Sequence, residues 1–373
     1  MAEIHKVVGL MSGTSLDGID AALVETDGEA VAVPGPALTL PYDPGTRAVL
    51  RAALEEARGL AEGVPMPASI REAEIRATDA HADAVHRLLA EAGLAPRDVA
   101  LIGFHGQTIL HRPEARFTWQ IGDGARLARA TGIDVVNDFR TADVMAGGEG
   151  APLVPLYHAA LVREAQGLKP PVAVVNIGGV ANVTYIDGDE ILAFDTGPGN
   201  APIDDWAMRH IGRPVDEHGA LARQGRVDNA LLEEMLAHSF FDRRPPKSLD
   251  RMDFDASRVA ALSPEDGAAT LTAFTAAAIA RAREHFPDPA THWVVCGGGR
   301  HNPVLMENLR ARVNAPVLAA EDAGWRGDFL EAEAFAYLAA RSRRGLPLSL
   351  PTTTGVARPM TGGALHRARQ QRA

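Results

Sequence analysis

The chain has 373 residues, more than one ordinary core holds, and typical domain sizes divide it into two or three domains. A content of 46% hydrophobic and 23% charged residues excludes a disordered chain, and a net charge of −11 argues against broad binding to nucleic acid or to an anionic membrane surface. The single cysteine, Cys296, excludes a disulfide framework or a cysteine zinc site within one chain.

Met1-Ala2-Glu3 runs into an apolar stretch with no basic region or cleavage site, so a cytoplasmic location is expected. The apolar runs Ile4–Val8 and Ile19–Val24 flank a glycine and hydroxyl turn, Gly9-Leu10-Met11-Ser12-Gly13-Thr14-Ser15-Leu16-Asp17-Gly18. This predicts a hairpin that holds an anion on converging backbone N–H groups, with Ser12, Thr14 and Ser15 as small added donors. Asp17 and Asp20 would repel a bare phosphate; they point to a metal ion, a reacting group or hairpin structure.

A third strand is expected at 30–40, helices at 46–57 and 70–92, and a buried strand at 99–104 that ends on His105-Gly106-Gln107-Thr108. In open α/β sheets that end of a strand faces the ligand crevice. A helix at 125–131 and a strand at 133–136 lead to Asn137-Asp138-Phe139-Arg140. The turn Gly147-Gly148-Glu149-Gly150 then opens a helix at 153–165. Placing a boundary here gives a first domain of 1–145, completed by the tail 353–373, and a second of 146–352, with hinges near 147–150 and 352–355.

The second half repeats the opening pattern. A strand at 172–175 enters Asn176-Ile177-Gly178-Gly179-Val180-Ala181-Asn182 and continues as a strand at 183–186, which predicts duplicated domains. A strand at 191–194 ends on Asp195-Thr196-Gly197-Pro198-Gly199-Asn200. The stretch 271–282 reads as a buried helix, too short and too interrupted to span a membrane. A strand at 292–295 enters a third glycine turn, Cys296-Gly297-Gly298-Gly299-Arg300-His301-Asn302. The helix expected from Pro303 would offer its N-terminal N–H groups to a phosphate.

No P-loop and no dinucleotide fingerprint is present, so phosphate must be held by these turns. Asp195, at a strand end before a glycine-proline turn, is a candidate general base and equally a candidate helix cap. Arg140 suits a carboxylate ligand or a salt bridge to Asp138 or Asp143. His105 is a ligand contact or a structural histidine. Glu331 shares a helix face with Ala334, Phe335 and Leu338, and Glu333 is the alternative cleft-facing carboxylate. Lys247-Ser248 reads as a solvated loop, and Cys296 carries no chemistry. No helix shows metal-ligand spacing.

Six of these motifs in one order, from Gly9–Gly18 through Gly103–Thr108, Asn137–Arg140, Asn176–Gly179, Phe194–Asn200 and Cys296–Asn302, closely resemble the anhydro-N-acetylmuramic acid kinase family. The resemblance implies an α/β fold of two duplicated ribonuclease-H-like domains, as in actin, sugar kinases and Hsp70 ATPases, around an ATP cleft. It also implies a reaction in peptidoglycan recycling: 1,6-anhydro-N-acetylmuramic acid, ATP and water give N-acetylmuramic acid 6-phosphate and ADP. By resemblance Asp195 is the base. Ser12, Gly13, Thr14, Ser15, Leu16, Asp17, Gly18, Ile19 and Asp20, with Asn176, Gly178, Gly179 and Gly297 to Gly299, border the nucleotide. His105, Gln107, Thr108, Arg140, Gly197 and Glu331 are expected at the sugar. Mg²⁺ is expected to arrive with ATP, with Asp17 as a candidate ligand, and a homodimer stays open. Two departures are visible: Glu149 stands where glutamine is usual, and Lys247-Ser248-Leu249-Asp250 replaces Lys-Ser-Thr-Gly.

Overall fold

The computed structural model describes residues 3–13, 15–60, 64–249, 254 and 256–368. Packing divides the chain into two units, Met1–Glu164 with Phe329–Ala373, and Ala165–Asp328. The segments 146–164 and 329–352, assigned to the second domain from the sequence, therefore pack with the first.

In the first unit, β1 (His5–Met11), β2 (Gly18–Thr26) and β3 (Val31–Pro41) form an antiparallel meander. β4 (Leu101–Phe104) joins β1 in parallel, and after the hairpin β5 (Gln107–Arg112) and β6 (Phe117–Ile121), β7 (Val135–Asn137) joins β4 in parallel. The β5–β6 hairpin was not expected from the sequence. β5 lacks the apolar alternation that marks a half-buried strand, whereas β6 carries it, with Phe117, Trp119 and Ile121 alternating with Thr118 and Gln120, a local signal that could have found the hairpin.

The helices Pro44–Arg58 and Ala68–Ala92 pack through Leu50, Ala53, Ile70, Ala77 and Val85 into one core with the sheet. Asp43 caps the first of them by accepting from Gly45 and Thr46 N–H, and Gly93, in the left-handed conformation, ends the second. The helix Leu330–Arg343 lies against β1, β2 and β4. Its backbone comes close because the strands carry glycines where it crosses: Gly9 and Gly103 are register partners, and a Cβ on either would meet helix carbonyl oxygens at 1.8 and 2.0 Å. That approach places 329–352 in the first unit.

The second unit repeats the topology. β8 (Val172–Ile177), β9 (Val180–Asp187) and β10 (Glu190–Pro198) form an antiparallel meander, and β11 (His292–Cys296) and β12 (Val317–Ala319) add in parallel on the far side of β8. The order β10-β9-β8-β11-β12 reproduces β3-β2-β1-β4-β7 strand for strand and direction for direction. The central parallel strands are nearly continuous buried aliphatics, as sheets covered on both faces require. The helix Pro264–Arg281 is buried from Gly267 to Ala280, as expected, because its alanines and threonines offer no polar face. No helix among the described residues is long and apolar enough to cross a membrane. The tail returns to the first unit as β13 (Ala364–His366), antiparallel to β7.

Candidate active site

In the first unit the turn between β1 and β2 is narrower than the motif suggested. Gly9 belongs to β1 and serves the helix crossing, Gly18 lies in β2 with Leu40 O only 2.6 Å from where a Cβ would stand, and Leu16 and Ile19 are buried core residues. These positions need their residues for packing. Gly13 differs: a Cβ there would meet only Ser15 Oγ at 3.6 Å, so its backbone is open to a ligand. Ser12 is buried and donates to Gly106 O at 3.4 Å, and Gln107 Nε2 donates to Gly13 O at 3.3 Å. Gln107 Oε1 is buried and has no protein partner. Thr14 lies outside the described residues.

The two aspartates of the turn separate. Asp17 pairs with Arg47 at 2.8 Å on the exposed surface, so a metal ion would have to displace a cation already in place. Asp20, opposite Met11 at the mouth of the hairpin, accepts from Thr39 Oγ1 at 2.6 Å.

A polar cluster gathers at the ends of β4 and β7. His105 Nδ1 donates to Gly106 O at 2.8 Å, which leaves Nε2 to accept from Arg140 Nε at 3.0 Å. Burial and the neighbouring guanidinium hold the His105 imidazole well below its usual range, so it is neutral. Arg140 also donates to Gly150 O at 2.6 Å, and burial lowers it to about 10, against the pull of Glu331 and Asp143. The alternative of a salt bridge from Arg140 to Asp138 or Asp143 is not what forms. Asp143 instead accepts from Gly150 N at 2.7 Å, Thr354 Oγ1 at 2.6 Å and Ser349 Oγ. That one buried carboxylate ties the two segments expected as hinges, 147–150 and 352–355, to each other. Thr108 Oγ1 accepts from Gln120 Nε2 at 3.3 Å.

The helix Leu330–Arg343 separates its two glutamates, which the sequence had left as alternatives. Glu333 is the buried one and accepts from Tyr157 OH at 2.8 Å, while Glu331 is solvent-accessible. Desolvation still raises the Glu331 carboxyl; Arg140 lowers it and Asp20 raises it further. The Glu331 carboxyl thus feels both Arg140 and Asp20.

In the second unit three turns meet at one end of the sheet. The Gly178 and Gly179 carbonyls accept from Asn200 N at 2.7 Å and Gly199 N at 2.9 Å, and a Cβ at Gly199 would sit 2.2 Å from Gly178 O. Gly297, at φ +73°, packs against Asn176 Oδ1, and Gly299 packs on Ile177. Asn176, Gly178, Gly179 and Gly297 to Gly299 are therefore neighbours, joined by Gly199 and Asn200. Gly197 is buried at φ +148°, where Ala278 and Phe241 leave no room for a side chain, so the fold itself requires that glycine.

Asp195 sits on β10 beside a bulge in its pairing with β9. Its N–H donates to Lys247 O at 2.9 Å, and its carboxylate accepts from Leu249 N at 2.9 Å. It does not cap the helix Ala201–Ile211, whose preceding residue, Asn200, makes no side-chain cap bond either. Lys247 corrects the solvated-loop reading: only 4% exposed, it donates to Phe240 O at 3.1 Å. Asp250 lies outside the described residues.

One further expectation changes, and one residue without an assigned role gains one. The helix Pro303–Arg310 does not offer open N–H groups, because Asn302 Oδ1 accepts from Val304 and Leu305. Arg300, quoted in its motif but given no task, is buried and reaches Gly297 O at 2.9 Å, Glu321 at 2.8 Å and Asp328 at 2.8 Å. Burial lowers its affinity for a proton, but Asp328 and Glu321 more than reverse that. It fixes the third turn to 321–328.

A strand order repeated in two units, with glycine turns gathered at the sheet ends and a carboxylate beside them in the second, defines a duplicated α/β architecture. A model of the family described as anhydro-N-acetylmuramic acid kinase matches residues 5–368. The chain belongs to this family. It is 54% identical to the protein of that description from Methylobacterium nodulans, across 97% of this chain and all of that one. To its counterpart from Rhodospirillum rubrum it is 56% identical, across 95% and 92%. Among solved structures, component A of (R)-2-hydroxyglutaryl-CoA dehydratase from Acidaminococcus fermentans overlaps 91% of this chain and 99% of its own, with 10% identity and a TM-score of 0.47.

Proposed function

We propose that the chain opens the 1,6-anhydro ring of 1,6-anhydro-N-acetylmuramic acid with water and phosphorylates O6 from ATP, with Asp195 as the base. The observation that carries this reading is the Asp195 carboxylate, fixed by the Leu249 N–H at the end of β10 next to the gathered glycine turns of its unit. Asp195 takes a proton from water as the water oxygen bonds to C1. The C1–O6 bond breaks, O6 bonds to the γ-phosphorus, and the bond to the ADP oxygen breaks. Phosphate takes the place of the proton that a second carboxyl delivers in common glycosidases.

Positioning and charge neutralisation supply most of what phosphoryl transfer needs. Gly13, Gly178, Gly179 and Gly297 to Gly299 offer backbone for the nucleotide. Mg²⁺ enters with ATP as part of the substrate and offsets phosphate charge. Arg140, oriented by His105 and Gly150 O, receives the lactyl carboxylate, and Glu331 accepts from sugar donors. The reaction is cytoplasmic, where ATP is available.

Turnover in ¹⁸O-water with the anhydro sugar and MgATP tests the reading. Label is expected at C1 of the phosphorylated product, and unlabelled product would show a plain hydroxyl kinase instead.

A further inference from the structure

Lys247 is buried without an ion-pair partner among the described residues. Its ammonium donates to Phe240 O at 3.1 Å, lies 3.5 Å from Phe241 O, and stands 4.5 Å from the centre of the Phe240 ring and 5.9 Å from that of Phe194. Burial pushes it down to about 8, with Arg243 and Arg281 acting in the same direction and Glu284 and Asp242 against it. A buried ammonium held only by carbonyls and rings is costly to keep, so its place in the fold calls for a reason.

The reason lies one strand away. β10 is an edge strand of its sheet, and Lys247 to Leu249 run along its exposed edge. Contacts here include the Asp195 N–H to the Lys247 carbonyl and the Leu249 N–H to the Asp195 carboxylate, each 2.9 Å. Side chains alternate across a strand. Phe194 and Thr196 turn to the Lys247 side, lining with it a cavity of about 10 Å³, while Asp195 turns to the other face. Little slack is left there; the space is at the lower limit for one water.

We propose that Lys247 is a positioning residue for Asp195: its anchored ammonium holds segment 247–249 against β10, so that the Leu249 N–H fixes the direction of the Asp195 carboxylate. It touches no substrate. This inference rests on the reading of Asp195 as the base.

Lys247→Met keeps the length and loses the donors, Lys247→Arg keeps a charged donor, and Leu249→Pro removes the N–H while fixing φ there. Lys247→Met is expected to lower kcat about tenfold or more with the KM for the sugar and for ATP little changed, as the loss of one hydrogen bond to a charged group implies. Lys247→Arg is expected to recover most of kcat, and Leu249→Pro to repeat the loss. The ¹³C carboxyl resonance of Asp195, assigned by its disappearance in Asp195→Asn, is expected to move in Lys247→Met and Leu249→Pro alike. An unmoved resonance with unchanged kcat overturns the proposal, as does an equal loss in kcat and both KM values. Should Lys247→Met not fold, Leu249→Pro and Lys247→Arg decide. If Asp195→Asn keeps turnover while the resonance still moves in Leu249→Pro, the base reading fails and the positioning contact stands.

Discussion

Gly9→Ala tests whether the helix Leu330–Arg343 is positioned by the absence of a side chain beneath it. The added Cβ would lie 1.8 Å from Ala332 O and 2.6 Å from Ala336 N, both backbone atoms that no rotamer change can move. The nearer contact falls about 1.6 Å short of the 3.4 Å at which ordinary contact begins, so the helix must shift by an amount of that order. Overpacking of a close-packed site costs typically 1–3 kcal/mol, and a clash with rigid backbone belongs at the top of that range, about 3 kcal/mol. Glu331 is in the first turn of the same helix, one residue from the clash. A displacement of about 1 Å there is enough to lower kcat by up to a hundredfold.

Gly103→Ala, 2.0 Å from Phe335 O, should behave alike. The double substitution should cost less than the sum, because a helix already displaced accommodates both. Gly59→Ala is the control: its φ is −87°, a Cβ there would meet only Glu56 O at 3.7 Å, and the change should be neutral or slightly stabilising. Urea unfolding and steady-state kinetics on the four variants read both effects. Wild-type stability and kcat in Gly9→Ala would refute the close-approach argument.

Asp195→Asn should retain nucleotide affinity and lose turnover by about 10²- to 10⁴-fold, the usual range for a general base; calorimetry with an ATP analogue beside a coupled ADP assay separates the two. Arg140→Lys should raise the KM for the sugar about tenfold while ATP binding holds, because an ammonium cannot serve His105 Nε2, Gly150 O and a planar carboxylate together. An unchanged KM would remove Arg140 from the sugar. Stability should fall in acid: burial holds His81 at about 4, His158 at about 3 and His105 well below its usual range, so the unfolded chain binds protons that the folded one refuses. Their contribution is full above about pH 6.5 and is lost as pH falls toward 4, at about 1.4 kcal/mol per pH unit for each group fully protonated only when unfolded. The raised Glu331 acts in the opposite sense, losing stability as pH rises through its folded value. A urea midpoint that stays level from pH 6.5 to 4.5 would count against neutral buried histidines.

What could be read from the sequence was what repeats or recurs along it. The two hairpins sat beside apolar runs of the right length, and their echo gave the duplicated strand order, because period and turn chemistry are local signals. Glycine was legible as a residue type but not in its task. Gly9, Gly18, Gly103, Gly197 and Gly299 stand where another segment comes too close for a Cβ, while Gly13, Gly178, Gly179 and Gly298 are open, yet all of them looked alike as motif letters. The glutamates show the same limit from the other side. Helical spacing put Glu331 among apolar neighbours, but which face is buried depends on what covers it, and Tyr157, 176 residues away in the chain, takes Glu333 instead. Lys247 and Arg300 were hidden for a related reason: a cation in a loop is ordinarily solvated, and only the fold brings carbonyls, rings or carboxylates from elsewhere to hold it. The expected domain boundary moved on the same ground. A helix that starts at residue 330 belongs to the sheet whose glycines admit it, and those glycines lie more than two hundred residues before it, so no pattern within the helix itself could have assigned it there.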